Sequence, residues 1–285
     1  MKHKRLICIL ILIFVLCLIL SMFSINPHTF SFPVNVFLLL GLIFLSLIAA
    51  YFSDRFRFIF TKRTVLIVIF EVIGVMILHW LFYHRLLFND LFPSAVYEFS
   101  TSALFVTSWM FFLWVLGAMI INRIRLVKKY NIVFLCNHVG LWIALAFGFF
   151  GQADSYTLQT IITKNHIVSK AYTKEGVSMD LPFEIGLEQI KIEKYASGET
   201  KSVDVKVFIG KNTVFRHKTV GVNHPYRYKG YDIYLQKVGN ESCVIQIVYD
   251  PWRYIVLIGI LSMIVGAIML FFNGFKQRTA NDRME

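Results

Sequence analysis

NIVFLCNHVGLWIALAFGFFGQ, residues Asn131–Gln152, reads as a membrane span with an ionisable side chain set inside it. His138 lies about six residues past the start, so at ~1.5 Å per residue it sits roughly 9 Å into the bilayer. An ionisable group at that depth is costly and usually faces a bundle interior or a bound group. Position alone therefore makes His138 a functional candidate, with a hydrogen-bonded structural histidine as the open alternative. Gly140, Ala144 and Gly148 recur every fourth residue, a small-residue ridge suited to close packing on a neighbouring helix. Leu141, Trp142 and Leu145 fall on the His138 side, at i+3, i+4 and i+7, as an apolar and aromatic wall beside the imidazole.

Around this stretch the chain is 57% hydrophobic and only 16% charged, which excludes an ordinary soluble domain of 285 residues. The net charge of +12 does not point to nucleic acid, because the basic residues gather in short connections between apolar runs, where they set membrane orientation. Six spans are expected: Leu6–Phe23, Val34–Tyr51, Thr64–Tyr83, Leu104–Ile121, the His138 helix and Trp252–Phe272. The two basic connections, Arg55–Arg63 and Arg123–Lys129, belong in the cytoplasm, which puts both termini inside and the segment after Gln152 outside. The four cysteines form no C-x-x-C and no C-x-x-C-H, so neither a dithiol redox pair nor a covalent haem attachment is encoded.

Between the last two spans lie short runs rich in Val, Ile, Thr and Tyr, punctuated by glycine. Tyr156–Thr163, Phe183–Tyr195, Ser202–Ile209, Thr213–Val220, Tyr231–Val238 and Cys243–Val248 are expected strands. Val203, Val205 and Val207 alternate with Asp204 and Lys206, the period of a half-buried strand. The expected fold class is an α-helical polytopic membrane protein with six spans. An extracytoplasmic all-β sandwich or barrel-like domain is inserted before the last span. The expected division is 1–63, an extra N-terminal transmembrane hairpin; 64–152, a transmembrane core with its histidine-bearing helix at 132–150; 153–250, the β domain; and 251–285, the last helix and a cytoplasmic tail.

LPFEIGLEQIKIEKYASG (Leu181–Gly198), VNHPYRYKGYDIYLQ (Val222–Gln236) and YDPW (Tyr249–Trp252) resemble, in order, the ResB-like proteins of cytochrome c biogenesis. FLCNHVGLWIALAFGFFG (Phe134–Gly151) is similar to that family's histidine-bearing helix. The resemblance extends from about Thr64 to the C-terminus; Met1–Tyr51 looks like an addition. It implies a subunit of the bacterial inner (cytoplasmic) membrane that works with a CcsA-type partner. Such a pair binds b-type haem transiently, exports it and presents it to apocytochrome c for covalent attachment. Membership of a cytochrome c haem lyase complex follows, although no residue here reads as an independent catalyst. His138 corresponds to the membrane histidine implicated as an axial haem ligand, and it is the expected metal ligand, with Trp142 beside it.

Glu71, in the third span, lies at about the depth of His138, ~10 Å in. It is expected either to fix the tautomer of His138 by accepting its second ring N–H, or to be an acid bonded to another helix. His79, near the outer end of the same span, is the second candidate haem ligand, with an interfacial anchor as its other reading. His224, in NHPYRYKGY, is a candidate contact for haem or apocytochrome, set against a role in a turn. Arg227 and Lys229 are candidate partners for haem propionates or an acidic surface. The competing function is a membrane-anchored assembly or sensing protein whose β domain binds a polypeptide without haem chemistry.

Overall fold

The computed structural model describes residues 27–83, 102–126, 131–212 and 214–281, together with Ile19, Phe23 and Ile25. It divides into two compact units, 1–153 with 252–285, and 154–251.

The first unit is helical. Its helices are α1 (Val34–Tyr51), α2 (Lys62–Tyr83), α3 (Ala103–Leu126), α4 (Ile132–Gly151) and α5 (Arg253–Asn281). Among the described residues four stretches are long and apolar enough to cross a membrane: Val34–Tyr51, Ala103–Leu126, Ile132–Asp154 and Arg253–Phe272. The third expected span corresponds to α2. The first expected span lies outside the described residues apart from Ile19 and Phe23.

Sequence explains the helix ends. Asn131 caps α4 by accepting the Phe134 N–H at 3.1 Å on its side-chain oxygen, one of the amides a helix start leaves unpaired. At the far ends of α1 and α3, Arg125 donates to Tyr51 O at 3.1 Å and Ser53 Oγ at 3.0 Å. That guanidinium ties two helix C-termini together, where a cation is favoured by the exposed carbonyls.

α4 and α5 form the tightest helix pair. A Cβ on Gly140 would stand 2.7 Å from Gly259 O, and one on Gly259 would stand 2.7 Å from both Ala144 N and Gly140 O. The backbones touch because glycine faces glycine. Of the expected ridge, Gly140 and Ala144 make this seam, while Gly148 meets nothing within 4 Å. Ser262 Oγ donates to Cys136 O at 3.0 Å along the same seam.

The second unit is one antiparallel sheet of eight strands in the order β5-β4-β3-β2-β1-β8-β7-β6. They are β1 (Tyr156–Thr163), β2 (Ile167–Tyr172), β3 (Ser178–Lys194), β4 (Thr200–Lys211), β5 (Val214–Gly221), β6 (Tyr226–Tyr228), β7 (Tyr231–Val238) and β8 (Ser242–Tyr249). The two terminal strands of this order, β5 and β6, are consecutive in the chain and joined through the Gly221–His224 turn, and buried residues from both ends of the order share a single core. That core includes Leu158, Ile162, Phe183, Ile185, Val205, Val207, Ile209, Ile233, Ile245 and Ile247, all essentially inaccessible. Removing each from water contributes on the order of 1.5–3 kcal/mol. Val205 and Val207 are buried and Lys206 is exposed, as the alternation requires.

Candidate functional site

His138 is half-buried on α4, and its ring stacks on Phe134 one turn back, centroids 4.1 Å apart and planes 24° from parallel. Its Nδ1 lies 3.0 Å from Phe134 O. A carbonyl only accepts, so this hydrogen bond requires the proton on Nδ1 and leaves the lone pair on Nε2. Metal-binding imidazoles are held in the same way, with the second nitrogen committed to a carbonyl or carboxylate.

Trp142 is pinned to α3, its Nε1 donating to Leu113 O at 3.0 Å. Its ring borders an apolar recess of about 190 Å³ that Ile43, Ser46, Gly117, Ile120, Ile121 and Val139 complete. Ligand pockets for drug-sized molecules span about 300–1,000 Å³, so this recess by itself does not enclose a porphyrin.

Glu71 does not pair with His138. It accepts a 2.6 Å hydrogen bond from Ser108 Oγ of α3, while the histidine's Nδ1 goes to its own helix. Of the two readings of Glu71, the one realised is a bond to another helix. Ser108 is the residue that sequence reasoning missed. Its signal was a small hydroxyl in an apolar span at the depth of an acid. His79 lies on α2, but its side chain is outside what the structure describes.

NHPYRYKGY forms the approach to β6 and the β6–β7 hairpin. Asn223 takes φ 64°, and the main chains of Gly221 and His224 bond reciprocally at 3.1 Å, which leaves the His224 side chain exposed. Lys229 and Gly230, at φ 48° and 87°, make a two-residue hairpin turn with both residues left-handed. Arg227 faces Asp232 across this hairpin, Nε to Oδ1 3.6 Å, with the carboxylate buried. Lys229 Nζ lies 5.5 Å from the Tyr228 ring centre. These two cations have local partners.

At the turn end of this hairpin Tyr231 clusters with Tyr156 and Tyr249, with the Tyr156 and Tyr231 hydroxyls 2.8 Å apart. Burial and the Tyr231 hydroxyl raise the Tyr156 pKa above the ordinary phenol value. Burial pushes the Cys243 thiol up to about 11. Among the described residues no three metal-ligating side chains converge, and the site is a single imidazole on an open helix face.

Residues 131–243, from the cap of α4 to the first residues of β8, match the model of the ResB-like family. Over this region the chain is similar to that family, in line with the resemblance of its motifs. A solved structure entitled cytochrome c heme lyase CcmF aligns with a TM-score of 0.36 and 11% identity, over 73% of this chain and 34% of that one. The chain thus spans about a third of the length of that protein. No curated protein matches.

Proposed function

We propose that this chain is the ResB-like membrane subunit of a cytochrome c maturation complex, holding haem at His138 while a CcsA-type partner completes the site. The observation that carries this reading is the commitment of Nδ1 to Phe134 O, which presents Nε2 as a ready ligand. The family match over 131–243 supports it. The described residues fit one side of a haem: one imidazole of fixed tautomer, an aromatic face at Phe134, and no second ligand converging with it. Haem is cargo here. Held beside the cysteine thiols of apocytochrome c, it reacts at its vinyl groups, and this chain contributes proximity and orientation.

Glu71 and His79 on α2, Trp142 on α4 and His224 in the β domain are proposed to line the route of haem. Six spans with cytoplasmic termini, an inner-membrane location and an extracytoplasmic β domain complete the proposal. The Arg125 link supports that orientation, since it gathers both basic connections at one end of the helical unit.

The test is the absorption spectrum of the chain purified with its CcsA-type partner, beside the His138→Ala form. Reduced-haem bands should weaken in the variant and return with added imidazole. Equal haem in both samples would assign His138 to structure.

A further inference from the structure

We propose that the exposed side of α2 around Glu71 and Gly74 is the docking surface for a membrane helix of a different chain, one that carries an arginine or lysine at the depth of Glu71. This rests on the reading in which α2 crosses the membrane, and not on haem at His138.

Glu71 is the one acid in α1–α5. α2 buries a single stripe, Val68, Val72 and Val75, at i, i+4 and i+7. Val68 clusters with Val115 and Ala118 of α3, and Val75 with Leu104 and Phe105. Glu71 flanks this stripe closely enough for the Ser108 bond, yet it stays exposed. Among the described residues its second carboxyl oxygen has no hydrogen-bond partner. Water would satisfy that oxygen, but lipid tails do not, and ionisable groups inside spans face a bundle interior, a watery cavity or a partner. Something other than lipid therefore covers it.

Gly74, three residues on, lies on the same side of the helix and is also exposed. A Cβ there would meet nothing within 4 Å. Glycine weakens a helix interior, and its use in a span is to let another helix come close. Gly41 and Gly148 are open in the same way, but no ionisable residue stands within one turn of either, so acid and gap coincide only on α2. Ile67, 66% exposed, lies one turn before Glu71 and completes that side. By contrast, the exposed residues of α1, and those of α5 from Tyr254 to Phe272, include no charge, which suits lipid alone.

Charge decides the occupant. A second copy enters the membrane the same way up, so its α2 would bring Glu71 against Glu71 at equal depth, like against like. A helix with an arginine or lysine at that level donates to the open oxygen and cancels both charges inside the bilayer.

A spin label on Ile67→Cys, in a chain whose four cysteines are replaced by alanine, first reports whether this side of α2 lies in lipid, through faster collision with oxygen than with a water-soluble nickel chelate. The full-length chain in nanodiscs is then titrated with a dansyl-labelled polyleucine helix carrying one arginine about seven residues from its end, the depth of Glu71. Energy transfer from tryptophan reads the binding. It should be saturable and at least about fivefold tighter than for the all-leucine helix. The difference should vanish in Glu71→Leu and in Gly74→Ile, and persist in Gly41→Ile. Glu71→Lys should turn the preference to a helix with aspartate in place of the arginine, which a misfolded variant would not do. A label in water overturns the membrane placement of α2 and the docking with it. A label in lipid, with no discrimination between the helices, overturns the docking alone. So does self-association of the parent chain that Glu71→Leu abolishes, which would make the occupant a second copy.

Discussion

At the scale of single residues, hydrogen bonds and burial set the chemistry. Holding the proton on Nδ1, His138 meets iron only through Nε2, so His138→Gln should lose haem like the alanine form and be rescued by imidazole to a smaller extent. Spectra of the purified complex decide this. Ser108 Oγ donates to the Glu71 side chain, and Glu71 stays exposed on α2. Ser108→Ala removes that bond and should cost about 0.5–1.5 kcal/mol, read as a slightly lower thermal midpoint in detergent. A pH effect belongs to Cys243 and Tyr156, whose pKa values are raised by burial. The folded state holds their protons more tightly than the unfolded chain. Stability from Cys243 is therefore complete below about pH 9 and is lost as pH climbs through about 11. Thermal midpoints across that window should fall less steeply in Cys243→Ala.

At the scale of elements, the α4–α5 seam is the contact most sensitive to one methyl group. Gly259→Ala should lower the thermal midpoint clearly, because its Cβ would meet Ala144 N and Gly140 O at 2.7 Å, whereas Gly148→Ala meets nothing and should be neutral. Hydrophobic runs made α1 legible to its ends, and strands Tyr156–Thr163 and Tyr231–Val238 likewise. β2 and β6 were not legible. β2 carries Ser169 and Lys170 mid-strand, and β6 is three residues long, so neither shows a period. Which of the two readings of Glu71 holds was not legible for a related reason: depth along a helix was readable, but rotation about its axis depends on tertiary packing.

At the scale of the whole molecule, composition separated membrane helices from the β insertion, but closure of the sheet was beyond it. Whether six or eight strands make two layers or one roll is decided by long-range register, such as Lys191 opposite Asp204 and Gln159 opposite Gln246, which local pattern does not carry. One roll means one shared core. Ile185→Ala and Ile247→Ala, both at fully buried positions, should each cost about 2–5 kcal/mol and melt all eight strands together in hydrogen exchange.

The seam that brings Gly140 onto Gly259 also brings Gly151 against Trp252, where a Cβ on the glycine would stand 2.6 Å from the tryptophan Cβ. The chain leaves the helices at Gly151 and returns at Trp252 almost side by side. The β unit is in effect a cassette spliced into a helical hairpin that is already closed. Excising 154–251 and joining the ends with a short glycine-serine linker asks little loop entropy of the helices. The seam should survive such surgery, and grafting the same cassette between the adjacent ends of another antiparallel helix pair should leave it folded.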